Sequence, residues 1–344
     1  MRRYARPVYP TPTPPPVSGR RFLPAVVEGF VLGAHEPLAN GLRRMAVDQF
    51  DSALSALATE TVDVATHEVR KVTKRLRAVL RLVRSELGDK RYRIENAILR
   101  DTARILAPLR DTDVRVASVA TVRGRFEPQL RASAFEGVEQ RLVDRRRRVL
   151  DQMVDGDEWR KVAYALRSAR ARYAAWPVDD ETARAHGMAV IPHRFASVER
   201  GLAQTYARGR QEMGEAGRHR TADNFHSWRK RARYLRHQVE MLSPVFPDVL
   251  EGYATALTRL GDLLGDEHDL ADLLRFLAGH PEYCPDPIER SMLVALSQHR
   301  RAELQAAALS LGSRIYAESP DRFTRRVRDY WDAWDDPLPV GFAP

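Results

Sequence analysis

The sequence predicts an all-α protein whose two helical, four-helix-bundle-like halves repeat one another. Three observations carry this. Apolar residues recur at three- and four-residue spacing along most of the chain, and runs that alternate with period two, or concentrate Val, Ile and Thr, are few. Two pairs of motifs appear in the same order: His67-Glu68-Val69-Arg70-Lys71 before Leu109-Arg110-Asp111-Thr112-Asp113, and His226-Ser227-Trp228-Arg229-Lys230 before Glu267-His268-Asp269-Leu270. His67 precedes Arg110 by 43 residues and His226 precedes His268 by 42, which reads as one large module duplicated rather than a short repeat. Finally, a break running from Trp176-Pro177 through Gly187 to Pro192 divides the helices into sets of similar number.

The elements follow in order. Residues 1–24 open with a basic, proline-rich stretch (YPTPTPPPV) that predicts an extended tail. Residues 25–344 form the helical domain, with a first half over about 25–176 and a second over about 188–344. The periodicity predicts helices at 36–58, 64–87, 91–107, 112–121, 129–154 and 158–175 in the first half. In the second it predicts 190–216, 222–243, 247–264, 267–278, 287–311 and 320–334. Short connections favour antiparallel neighbours, hence up-and-down bundles.

Composition narrows the function. The 344 residues are 44% hydrophobic, enough for a sizeable core, so a disordered chain is excluded. The lone Cys284 excludes an internal disulfide and a multi-thiol zinc site. Fifty-six basic against 46 acidic residues leave a net charge of +10, which points to an anionic partner. The early apolar stretch from Phe22 to Ala34 is too short and broken to span a bilayer or form a signal peptide, so a cytoplasmic protein with no membrane partner is expected.

The placement of charge is more informative than its sum. With His67 at 0° and about 100° per residue, Arg70, Lys71, Lys74, Arg77, Arg81 and Arg84 fall between about 260° and 40°. Val69, Val72, Leu76, Val79, Leu80 and Val83 fall opposite. Glu68 is the only acid between His67 and Arg84, whereas a solvated helix face ordinarily mixes signs. The second copy repeats the plan with His226, Arg229, Lys230, Arg233, Arg236 and His237 against Trp228, Leu235, Val239 and Leu242. It departs where Glu240 replaces the counterpart of Arg81 and Tyr234 that of Arg75, and Arg231 falls among its apolar angles. Three of the chain's five lysines lie on these two stripes, so arginine-rich composition alone does not explain them. Arg208 and Arg210, on the helix before the second stripe, and Arg43 and Arg44, before the first, widen each patch. Of Arg145-Arg146-Arg147-Arg148, at least one must turn towards a core or partner, because four successive residues cannot share a face.

Catalytic equipment is not apparent. No glycine-rich phosphate loop, nucleophile elbow or histidine–cysteine pair stands out. His67 and His226 lack a ligating partner three or four residues on along their own face, so hydrogen bonding at the stripe edge fits better than metal ligation. Asp111 and Asp269 read as helix-start residues, with orientation of nearby arginines as the other option.

The ordered set HEVRKVTKRLRAVLRLVR, LAPLRDTDV, GLAQTYARGRQEM, FHSWRKRARYLRHQVEML, LLGDEHDL and ELQAAALSLGSRIYAESPDRF resembles the CHAD family, the conserved histidine α-helical domain. The likeness runs from about residue 30 to the C-terminus. It implies two four-helix bundles related by pseudo-twofold symmetry, basic surfaces around a central cleft, inorganic polyphosphate as ligand and association with polyphosphate granules. Residue by residue it points to His67, Arg70, Lys71, Lys74, Arg77, Arg81 and Arg84, and to His226, Arg229, Lys230, Arg233 and Arg236. The expectation is a non-enzymatic polyphosphate binder with no cofactor and no metal. A nucleic-acid-binding helical protein is the alternative, although the stripes lack the Asn, Gln or aromatic interleaving of base readout. A metal phosphohydrolase using His67, His226, Asp111, Asp269 or His268 ranks third.

Overall fold

The computed structural model of the chain describes residues 29–336, so the tail expected over residues 1–24 lies outside it. Among the described residues all regular structure is helical. The helices are α1 (Leu38–Thr59), α2 (Val62–Leu82), α3 (Arg84–Leu87), α4 (Asp89–Ile105), α5 (Ala107–Arg125), α6 (Glu136–Asp155), α7 (Glu158–Ala174), α8 (Asp180–His186), α9 (Ala196–Arg218), α10 (Ala222–Leu242), α11 (Pro247–Gly279), α12 (Pro287–Ile315) and α13 (Pro320–Asp335).

Several boundaries differ from those the periodicity predicts, each for a local reason. The helix expected over 64–87 breaks at Val83, whose φ of −101° and ψ of 21° are not helical, so Arg84 opens a separate short turn. The helices expected at 247–264 and 267–278 are one, α11: Leu263, Leu264, Leu270 and Leu273 keep a single apolar phase across the polar Gly265–Asp269 stretch. Asp269 is therefore interior to α11, and Asp111 lies a turn inside α5, so neither starts a helix as expected. The helix expected from residue 129 begins at Glu136, after a 3-10 turn at Glu127–Gln129. The inter-half break contains the unexpected α8, fixed by a capping box in which Asp179 Oδ1 accepts from Thr182 N at 2.8 Å.

Packing arranges the helices in two rings of four. In the first half α1 lies against α2 and α7, and α4 closes the ring by packing on both. In the second, α9 lies against α10 and α12, and α11 closes it. The rings meet where α2 packs on α10 and α9. One apolar cluster runs through this junction, joining Val69, Val72, Leu76 and Val79 to Trp228, Leu235 and Val239. A smaller cluster buries Val119, Val122, Val138 and Leu142 of α5 and α6 against Leu270, Leu273 and Leu293 of α11 and α12. At the junction a Cβ on Gly201 of α9 would lie 2.0 Å from the Leu82 carbonyl oxygen, so only glycine permits this approach.

Candidate functional site

The oily faces of α2 and α10 place their basic faces together. Val69, Val72, Leu76, Trp228 and Leu235 are buried to within 1% exposure. Burying one such side chain contributes about 1.5–3 kcal/mol, against a few tenths for a like-charge pair on an exposed helix, so the core can hold mutually repelling cations in register.

At the seam, Lys74 feels Arg233 and Arg229 from α10, Arg70 from its own helix and Arg110 from α5. Burial, reinforced by these cations, pulls its ammonium down to about 7. Arg70, Arg229 and Arg233 are shifted downwards too, chiefly by burial. Several of the guanidiniums here are held by neutral acceptors. Arg70 Nη1 donates to the Ala103 carbonyl at 3.4 Å, and Arg77 Nε to Asn96 Oδ1 at 3.0 Å. Arg81 Nη1 donates to the Arg77 carbonyl at 2.9 Å and to Asn96 Oδ1 at 3.2 Å. Among the described residues, Arg70, Arg77 and Arg81 enter no ion pair with a carboxylate, although Asp111 and Asp269 lie close enough to act on Arg70. The acids closest to the centre are weakly engaged: Asp269 Oδ1 lies 4.0 Å from Arg229 Nη2 and 3.3 Å from His268 Nδ1. Asp111 acts on Arg70, and burial together with Asp272 raises its carboxyl.

His226 lies tilted against His268 with ring centroids 4.7 Å apart, and its buried Nδ1 has no partner among the described residues. Burial, then His268 and the neighbouring cations, pull it to about 4. His67 is exposed and lowered by partial burial, Lys74, Lys71 and Arg110. Both rings are thus neutral near pH 7, as donors at the edge of the cluster.

A second group continues from the first. Arg81 lies 3.9 Å over the Tyr234 ring and Arg84 4.5 Å over Tyr92. Arg81, Arg84 and Arg208 line a cleft with Arg231, Tyr92 and Tyr234, and Arg200 lines its outer part. Arg84 also binds Asp89 at 2.8 Å, so the basic stripe bends with the chain after Val83.

Other expected residues lie apart. Lys71 is paired with Glu68 at 2.5 Å. Lys230 acts on His226 but enters no carboxylate pair among the described residues. Arg236 turns to His237, at 3.5 Å. His237 is not on the cationic face: it is 1% exposed, bonds Glu240 Oε2 at 3.0 Å and meets Phe30, from the segment before α1, edge-on. Arg210, about 200° round α9 from Arg208, is exposed and acts on Tyr206 instead. Arg44 is spent on Glu36 at 2.8 Å. In the arginine run, Arg145 turns inward to Tyr283 Oη at 3.2 Å, and Arg146 is neutralised by Asp113 at 2.5 Å.

Four contributors escaped the stripe arithmetic. Arg110 sits on α5, beyond the reach of a single-helix wheel. Asn96 and Tyr92 belong to α4, whose pattern is unremarkable. Arg231 falls at an apolar angle, and its position there was the one available signal: it points to α9, with Glu212 at 3.9 Å.

Among the described residues no group of three or more His, Cys, Asp or Glu side chains could hold a metal ion, and no helix is long and apolar enough to cross a membrane. The family model for the CHAD domain matches residues 44–278, spanning both histidine motifs and both of the acidic motifs that follow. The chain belongs to the CHAD family. No curated protein matches it significantly. The matched region of this CHAD domain is narrower than the likeness read from the motifs, and it contains both basic helices, α9 and α11 to within a residue of its end. A polyphosphate-related function is consistent with membership.

Proposed function

We propose that this CHAD domain binds inorganic polyphosphate without turning it over, along the cations of α2 and α10, and associates with polyphosphate granules in the cytoplasm. The observation that supports this reading is the gathering of Arg70, Lys74, Arg110, Arg229 and Arg233 at one seam, where Arg70 is held by a backbone carbonyl rather than an acid. Polyphosphate is a flexible polyanion without bases. It asks for a row of cations, with forked guanidinium donors to phosphate oxygens and a mobile ammonium between them. Side chains three and four apart on a helix are about 5–6 Å apart, a spacing that successive or alternate phosphates follow. The continuation through Arg81, Arg84 and Arg208 gives a long chain further cations to run along.

The test is calorimetric titration of the full chain with long-chain polyphosphate over a salt series, alongside phosphate release with added Mg²⁺ or Mn²⁺. Saturable binding that weakens steeply with salt, with no phosphate released, is expected. Unchanged affinity after reversing the charges of Arg70, Lys74, Arg229 and Arg233 in a variant that keeps its helical circular dichroism would sink the proposal. Turnover abolished by His67→Ala would replace it with a phosphohydrolase.

A further inference from the structure

Arg81, Arg84, Arg200 and Arg208 surround one cavity of about 480 Å³, where α9 packs against α2 and α3. A volume of this order is that of a small-molecule site. A narrower recess of about 40 Å³ continues from it towards Tyr92, Tyr234 and Arg231. The four arginines come from separate elements. Arg81 stands in the last turn of α2, Arg84 opens α3 beyond the break at Val83, and Arg200 and Arg208 belong to α9. With Arg200 at 0°, Gln204 falls near 40° and Arg208 near 80°, so one face of α9 carries all three. Gly201 lines the cavity beside them, and its missing side chain is what lets α9 approach the Leu82 carbonyl.

These guanidiniums keep donors free. Among the described residues Arg81 spends only Nη1, on the Arg77 carbonyl and Asn96, and Arg84 spends only Nε, on Asp89 at 2.8 Å. Arg81 lies 3.9 Å over the Tyr234 ring and Arg84 4.5 Å over Tyr92, contacts that orient a guanidinium without consuming an N–H. Arg200 and Arg208 are exposed and enter no hydrogen bond or carboxylate pair among the described residues. Asp89 is the one acid in the lining, and Arg93 also reaches it at 3.6 Å from outside, so the cavity keeps an excess of positive charge.

The rest of the lining selects the ligand. Ser85 and Gln204 are exposed polar groups, and no apolar side chain lines the cavity. An acyl chain finds no wall there, and a nucleobase finds no free ring. A bare polyphosphate has no hydroxyl for Asp89 to accept from and is repelled by its carboxylate. A polyol phosphate has both the phosphates that the arginines take and the hydroxyls that Asp89, Ser85 and Gln204 take.

We propose that this cavity is a separate site for a small sugar carrying a phosphate at each end. Arg200 and Arg208 are eight residues apart, about 12 Å along the axis of α9, so one helix face engages both ends of the molecule. Arg81 and Arg84 add donors from the α2–α3 wall. The site stands at the open end of the cationic track, so its occupant withdraws Arg81, Arg84 and Arg208 from a long polyphosphate and shortens the track. The site itself is independent of the polyphosphate reading; only this competition rests on it.

The experiment titrates the full chain with fructose 1,6-bisphosphate by calorimetry, beside fructose 6-phosphate and 1,6-hexanediol bisphosphate. The sugar bisphosphate should bind saturably, one per chain. The monophosphate should bind about tenfold more weakly for want of one charge-assisted set of hydrogen bonds, and the diol, which lacks ring hydroxyls, severalfold more weakly. Arg200→Gln with Arg208→Gln, both at exposed positions, should lower the affinity about tenfold or more while keeping the helical circular dichroism, and Arg210→Gln should leave it unchanged. Saturating sugar bisphosphate should weaken long-chain polyphosphate binding severalfold and spare a short oligophosphate. Bisphosphate binding no tighter than monophosphate, unaltered affinity in the double variant, or a diol that binds as well as the sugar overturns the proposal. Undiminished long-chain binding in the presence of the sugar places the ligand elsewhere and overturns it too. Polyphosphate binding without sugar bisphosphate binding defeats only this inference, and the reverse defeats only the proposed function.

Discussion

The Arg75 guanidinium on α2 lies 2.5 Å from the carboxylate of Glu240 on α10. Glu240 stands in the second motif where the first has Arg81, and Tyr234 stands where the first has Arg75. Arg81 in turn lies 3.9 Å over Tyr234. The two departures of the second motif therefore answer each other across the seam. One end is closed by an arginine–carboxylate pair, backed by His237; the other carries an arginine–aromatic stack that leaves charge uncancelled. The cationic track is thus one-sided, open towards Arg84 and Arg208.

This reciprocity predicts a specific exchange. Glu240→Arg places a cation beside Arg75 and strips His237 of its acceptor. It should cost about 1–3 kcal/mol in urea denaturation, discounted for the partial exposure of the pair. Adding Arg75→Tyr to it recreates at this end the stack seen at the other, and should recover about 1 kcal/mol. A double variant no more stable than Glu240→Arg would show that the two ends are not equivalent in packing.

What the sequence made legible and what it hid follow from the same geometry. The helical wheel placed Arg70, Lys74, Arg77, Arg229 and Arg233 on single faces because those faces are set against an oily core, and periodicity reports burial directly. It misplaced His237, whose wheel angle is correct but which is covered by Phe30 from the segment before α1, a tertiary fact. Arg110 and Asn96 were invisible to a one-helix projection, since they reach the seam from α5 and α4. The split predicted in α11 failed because the polar Gly265–Asp269 stretch looks like a turn by composition. There Gly265 instead faces Arg229, whose guanidinium would be 3.6 Å, an ordinary contact distance, from a Cβ at that position. With its acids inside a helix, this stretch serves a packed surface rather than a cap.

Salt dependence should report which cations engage. Counterion release makes the logarithm of the binding constant fall linearly with the logarithm of salt, with a slope set by the number of phosphates neutralised. Arg233→Gln should weaken polyphosphate binding and flatten that slope by about one. Arg210→Gln, on the far side of α9, should leave the slope unchanged. Equal effects from both, measured by calorimetry, would relocate the track. Single- or double-stranded nucleic acid at equal phosphate concentration should displace polyphosphate poorly, because Tyr92 and Tyr234, the aromatics lining the cleft, are buried with Arg84 and Arg81 over their rings.

Binding should be coupled to proton uptake. In the free protein Lys74 is held at about 7 and His226 at about 4, by burial and by like charges. A bound polyanion opposes the like-charge part, so both values rise and protons are taken up between about pH 6 and 8. The affinity for polyphosphate should therefore increase as pH falls through this window. Titrations in buffers of different ionisation enthalpy should give a positive proton uptake at pH 7.5. Lys74→Met should reduce that uptake, and unaltered uptake would remove Lys74 from the site.

Stability should move with pH in the opposite sense. His237 is buried, and burial outweighs the raising effect of its bond to Glu240, bringing it to about 4. Its folded value lies below the ordinary histidine value near 6.5, so the unfolded chain binds the extra proton. The stability it contributes is whole above about pH 6.5 and is lost as pH falls towards 4, by roughly 3 kcal/mol at most. Acid denaturation of wild type and His237→Gln, followed by circular dichroism, should diverge at pH 7 and converge near pH 4. Parallel curves would mean that the ring is solvated.

Gly201 is the most direct test of how the site is assembled. A Cβ there would lie 2.0 Å from the Leu82 carbonyl oxygen and 2.6 Å from that of Arg81, and backbone cannot rotate out of the way as a side chain can. Gly201→Ala must push α9 off α2, at a cost of about 1–3 kcal/mol by overpacking. Because Arg208 rides on α9 and Arg81 on α2, the displacement also widens the cleft the two line. The variant should therefore lose affinity for long polyphosphate, which uses this end of the track, by more than for a short oligophosphate confined to the Lys74 seam. A thermal melt and paired calorimetric titrations check both parts. Equal losses for long and short chains would mean that Arg81 and Arg208 do not extend the site.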